Sequence, residues 1–192
     1  MRNFIATRAL GALAVAVVCG VTPLAAHGQA AAPKAAAGLD DPTIVAIFDA
    51  ANSWDIETAG VALKRSHDKD VREFAHMMQR DHRAVRKLGR DLAHKLHVTP
   101  TPPGKDFAMY KDHVAAMKSL RTAKHGSAFD HAYIDNEVAY HQAVIDAMTN
   151  TLLPATKNTE VRDLETKVAP SFEAHLAAAK AVQAKLPATG AR

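Results

Sequence analysis

From residue 41 onward the hydrophobic positions recur at steps of three and four, the spacing that puts them on one face of an α-helix. Ile44, Ile47/Phe48, Ala51, Trp54, Thr58 and Val61 mark a first helix reaching about Arg65, with Asp41 as its cap and Pro42 in its first turn. Ser66 is placed to cap a second helix. Its stripe of Val71, Phe74/Ala75, Met78, His82, Val85, Leu88/Gly89, Leu92 and Leu96 carries it to about Leu96. The join between the two is so tight that they must fold back as an antiparallel hairpin. Thr99-Pro100-Thr101-Pro102-Pro103-Gly104 then stops the helix, because three prolines in four positions cannot continue one.

A shorter helical pattern follows from Asp106 to about Lys124, with Phe107, Tyr110, Val114, Met117 and Leu120 on one side. Two more long patterns complete the chain. One runs from about Ser127 to Leu153 through Tyr133/Ile134, Glu137/Val138, His141, Val144/Ile145, Met148 and Leu152, and stops at Pro154. The other runs from about Thr159 to Leu186 through Val161, Leu164, Val168, Ser171/Phe172, His175, Ala178/Ala179 and Val182, with Pro170 inside it. The segment between the second and third long helices spans about thirty residues, enough for a crossover along a bundle. The fold class expected is all-α: a ferritin-like antiparallel four-helix bundle, residues 40–187, with an additional short helix in the connection between its second and third helices.

Composition supports this. Hydrophobic residues make up 48% of the chain and lean on alanine, while aromatics are only 5%, and no β-branched alternating run is present. Residues 1–30 read as a signal peptide: Arg2 and Arg8 form a positive start, Leu10 to Val21 an apolar core, and Ala26-His27-Gly28 or Gly28-Gln29-Ala30 a small-residue cleavage site. Residues 31–39 read as a disordered linker and 188–192 as a disordered tail. The expected location is the periplasm or cell envelope. No later segment reaches the ~20 apolar residues of a membrane-crossing helix. Envelope proteins are the partners this location offers.

Charge excludes one class of partner. Without Arg2 and Arg8 the basic and acidic residues nearly balance, and they alternate, as in Arg80-Asp81 and Lys111-Asp112. No nucleic-acid footprint is present. The one cysteine, Cys19, lies in the leader, so disulfide and thiolate chemistry are not expected of the mature chain.

Chemistry, if any, rests on histidine. Of eleven histidines, His82, His141 and His175 fall in the middle of a buried stripe, each on a different long helix. Buried imidazoles need partners, and three at matching levels can be partnered through one ion. The expected cofactor is one transition-metal ion, zinc, copper or iron, with His82, His141 and His175 as ligands and Glu57, Asp81 and Glu137 as the acidic candidates. Glu57 stands about seven residues, or ~10 Å, off the level of His82. Asp55 is somewhat nearer but off the stripe. The Glu-x-x-His repeat of di-iron bundles is missing, since Gln79, Val138 and Phe172 precede the three histidines by three residues. The alternative is a histidine hydrogen-bond network without metal, in a structural or envelope-stress protein whose polar core only specifies the bundle. No nucleophile motif, phosphate loop or His-Glu-x-x-His points to an enzyme.

Phe48-x-Ala50-Ala51, Val71-x-x-Phe74-Ala75-x-x-Met78-x-x-Asp81-His82, Tyr133-Ile134 with His141, and His175-Leu176 together resemble the exported bacterial family catalogued as domain of unknown function 4142. The resemblance covers about residues 40 to 185. It implies a ferritin-like bundle and an exported or outer-membrane-associated location, with no settled activity. It also implies a shared role for Glu57, Asp81, His82, His141 and His175.

Overall fold

The computed structural model describes residues 39–104 and 107–188, and among these all regular structure is helical. The signal peptide, almost all of the linker and most of the tail lie outside the described residues. The helices are α1 (Asp41–Arg65), α2 (Lys69–Lys95), α3 (Ala108–Thr122), α4 (Ser127–Ala147), a single turn α5 (Leu153–Ala155) and α6 (Thr159–Gln183), with a π-helical turn over Met148–Leu152 joining α4 to α5.

The helix starts depart from expectation by a residue or two, for reasons visible in the caps. Asp40, not Asp41, accepts from Thr43 N–H, which frees the Asp41 carboxylate to accept from the Lys157 and Asn158 N–H groups at 2.8 and 3.0 Å. One acidic residue thereby ties the start of α1 to the start of α6. Asp68, not Ser66, caps α2 by accepting from Val71 N–H. Ser66 Oγ accepts from Asp68 N–H instead. The third long helix ends at Ala155, one residue past the expected stop at Pro154, after widening over Met148–Leu152, where Leu153 N–H bonds Met148 C=O. α6 runs unbroken through Pro170.

α1 packs along α2, and α4 along α6; α2 meets α6, and α1 meets α4. α3 lies against α1 and α4. Of its expected apolar side, Met117 and Leu120 are buried, while Tyr110 and Val114 are exposed. Arg65 fixes its C-terminal end, donating to the carbonyls of Leu120, Arg121 and Ala123 while its guanidinium lies over the Phe129 ring. Leu39, assigned by composition to the linker, packs on the core.

The core is in two pieces. Ile44, Ile47, Phe48, Val85, Val144, Val161 and Phe172 belong to one apolar cluster. Ala59, Val71, Phe74, Met78, Phe129, Tyr133 and Ala179 belong to the other. On every long helix polar residues are buried between these clusters: Asn52, Asp55 and Thr58 on α1, His82 on α2, Glu137 and His141 on α4, and His175 on α6.

Candidate metal centre

The three histidines meet. Ring centroids are 5.6 Å apart for His82 and His141, 5.0 Å for His82 and His175, and 5.4 Å for His141 and His175. Their exposures are 1%, 0% and 4%, so no ring nitrogen has free access to bulk water. Each ring is held by one nitrogen. His82 Nδ1–H donates to Asn52 Oδ1 at 2.9 Å, and Asn52 is oriented by its own amide bond to the Phe48 carbonyl at 2.8 Å. His141 Nδ1–H donates to the Glu137 carbonyl at 2.9 Å. His175 Nε2–H donates to Asp81 Oδ2 at 3.1 Å.

Because each acceptor is an oxygen, these bonds fix the neutral tautomers and leave a lone pair on His82 Nε2, His141 Nε2 and His175 Nδ1. Those three nitrogens have no hydrogen-bond partner. A buried polar atom left unmatched costs about 1–3 kcal/mol, so three in one place call for a ligand. One nitrogen from each ring lies within 4.8 Å of the others. Three atoms so spaced share a point within about 2.8 Å of each, against metal–nitrogen distances of ~2.0–2.1 Å, so a contraction of about 0.7 Å brings them onto an ion. The residues present fit a transition-metal ion.

Electrostatics agree with that role. Burial holds the His82 imidazole well below the ordinary histidine range, and His141 and His175 push it further. Burial takes His141 down to about 4. Burial also lowers His175, against the pull of the Asp81 carboxylate. All three rings are thus neutral near pH 7, the state in which imidazole binds metal.

Carboxylates flank the rings. Asp55 and Glu137, both buried, are neighbours in the layer, and Thr58 Oγ1 donates to Glu137 Oε1 at 3.0 Å. Burial and then the neighbouring Glu137 push the Asp55 carboxyl well up, and burial raises Glu137 to about 7. Asp55 Oδ2 comes within 3.5 Å of His82 Nε2. Asp55, Glu137 and His141 also bring one ligand atom each within 4.8 Å of one another.

The expected acidic residues therefore separate. Glu137 is in the layer. Asp81 touches it from the surface side, between His175 and the Arg80 guanidinium. Glu57 is not in it: its side chain is 54% exposed and pairs with His113 Nε2 at 3.2 Å, because residue 57 falls on the flank of α1 that faces α3. Helix one contributes Asp55 instead, together with Asn52 and Thr58. The signal for these was the three-residue step 52, 55, 58, which continues the face begun by Ile44 and Ile47/Phe48. The stripe expected for this helix takes Ala51 and Trp54 in place of Asn52 and Asp55 and rejoins the face at Thr58.

Fold and site together define an all-helical protein with a layer of histidine and carboxylate across its core. The chain belongs to the family described as Domain of unknown function (DUF4142), which matches residues 25–182. Among solved structures the fold is similar to "CopM in the Cu(II)-bound form", with a TM-score of 0.58 and 19% sequence identity, over 78% of this chain and 100% of that one. No curated protein matches.

Proposed function

We propose that this protein is an exported, ferritin-like four-helix bundle of the cell envelope that binds one transition-metal ion through His82, His141 and His175. The observation that carries this reading is the set of three buried, neutral imidazoles, each tied by one nitrogen and unmatched at the other. Hydrogen bonding of the second nitrogen to a carbonyl, an amide or a carboxylate is how metal-bound histidines are oriented. Asp55 is placed to be the fourth ligand: its 3.5 Å separation from His82 Nε2 is long for a hydrogen bond and close to the ~3.4 Å between two ligands of one tetrahedral ion. Asp81 and Glu137 then act on ligands, Asp81 by holding His175 and Glu137 by holding His141 through its main-chain carbonyl.

Copper is the favoured ion. Imidazole sites bind divalent copper ahead of the other first-row ions, and CopM, similar in fold, is described in its Cu(II)-bound form. The test is metal content after loading the mature protein separately with copper, zinc and iron and dialysing it. About one equivalent of copper is expected to remain, and the H82A/H175A double variant is expected to lose it while keeping its helical circular dichroism. A wild-type protein that retains none of the three ions would sink the reading and leave the layer a hydrogen-bonded device for specifying the bundle.

A further inference from the structure

The histidine layer is sealed above and below by the two apolar clusters, so an ion must reach it from the side. Two sides are available. On the α2–α6 side the way in passes Asp81, where the Arg80 guanidinium bonds both carboxylate oxygens, at 2.7 and 3.2 Å, and sets a fixed positive charge at the door. Arg86 and Arg90 of the same helix turn the other way, to Asp49 of α1, so the obstacle on the α2–α6 side is the Arg80–Asp81 pair itself.

The other side is different. Beneath α3, between α1 and α4, lies a cavity of about 290 Å³. At ~30 Å³ per water it holds an ion with its first hydration shell. Asp55, the carboxyl that approaches His82, forms part of its wall, so the cavity ends on the layer itself. Asp55 has an oxygen with no hydrogen-bond partner and is only 3% exposed. On the α3 side the wall carries Met109 and, one turn on, Asp112 and His113: a thioether, a carboxylate and an imidazole. His113 is held there by stacking on Trp54 at 5.0 Å and by Glu57. Donor groups therefore line the way from the surface to the histidines, with no arginine or lysine among the described residues of the wall.

Resting on the metal-centre reading, we propose that the cavity under α3 is the route by which the ion enters and leaves, and that Asp55 passes it from the cavity to His82, His141 and His175. A carboxylate in the cavity wall, Asp112, raises a cation's local concentration and its rate of arrival. The route makes the centre exchangeable rather than locked in at folding.

The test is the rate of loading, read with Cu²⁺ alone. Trp54 is the only tryptophan and lines the cavity, so its fluorescence reports arrival in stopped flow. A139F on α4 and A116F on α3 each fill the cavity from a different wall, and A115F, on the exposed face of α3, is the control. Loading of the two cavity variants is expected to slow at least tenfold, with release slowed alike so that affinity at equilibrium changes by less than about threefold; A115F should load as wild type. Thermal melts of each variant verify the fold. If both folded cavity variants load at the wild-type rate, or if R80A speeds loading tenfold while they do not slow it, the ion enters past Asp81 and the proposal is overturned. If the wild type binds no copper at equilibrium, the metal-centre reading itself fails and this one with it.

Discussion

Glu137 and His141 are one turn apart on α4 and both wholly buried, yet burial drives their protonation in opposite directions. Glu137, raised from an ordinary 4.5 to about 7, keeps a proton in the folded chain that the unfolded chain releases. Its contribution to stability is therefore largest on the acid side and declines as pH rises from 4.5 to about 7. His141, lowered from 6.5 to about 4, remains neutral in the folded chain where the unfolded chain takes up a proton. Its contribution is complete above 6.5 and is lost as pH falls toward 4. Removing the carboxyl while keeping an acceptor for Thr58, as in E137Q, should remove the Glu137 part of this dependence. Each tenfold difference in proton affinity between folded and unfolded chain is worth ~1.4 kcal/mol. Against wild type, both metal-free, E137Q is therefore expected to gain roughly 2–3 kcal/mol at pH 8 relative to pH 5. Urea midpoints across that range check it, and parallel curves for the two proteins would exclude a titrating Glu137.

The residue scale also shows what the amino-acid pattern made legible. His82, His141 and His175 stood out because each interrupts an apolar stripe. Asn52 and Asp55 did not, because a short polar residue beside apolar neighbours reads as a boundary of the stripe rather than a member. Glu57 was a better match to a family position than to the site, and only the rotation of α1 about its axis separates it from Asp55.

At the scale of the element, rotation and spacing of helices were set by details that periodicity does not record. The apolar residues of α3 form one broad stripe, and the pattern alone does not say that its Met117 and Leu120 edge turns inward while Tyr110 and Val114 face outward. The contact of α1 with α2 depends on Gly89. A Cβ there would meet Phe48 Cδ1 at 2.9 Å and Cε1 at 3.0 Å, and Phe48 is itself buried in the core. Gly60, in the middle of α1, faces only the Gln79 amide at 3.3 Å, the far end of a flexible side chain. The same substitution should thus have opposite signs. G89A is expected to destabilise by about 1 kcal/mol, crowding outweighing helix propensity, whereas G60A is expected to stabilise by roughly 0.5 kcal/mol. Thermal melts of the pair decide this. A G89A protein at least as stable as wild type would mean that the two helices are not held at the spacing described.

For the whole molecule, the all-helical class, the order of the long helices and the crossing segment before Ser127 were legible in hydrophobic spacing and proline placement. The division of the core was not. It arises only when the polar positions of α1, α2, α4 and α6 come to one level, which requires the hairpins to be folded and set against each other. Each long helix crosses that level once, and each contributes apolar residues to both clusters.

That division has a bearing on how the protein comes apart. A core cut across by hydrogen-bonded polar groups has a seam, and the two halves are joined through the continuity of the helices rather than by apolar contact across it. Amide hydrogen exchange of the metal-free protein is expected to show two opening free energies, one for residues around Phe48, Val144 and Phe172 and another for those around Phe74, Phe129 and Tyr133, separated by about 1 kcal/mol or more. An ion held by α1, α2, α4 and α6 together would close the seam, and saturating copper should merge the two into one higher value. A single opening free energy in the metal-free protein would show that the halves already unfold as one unit.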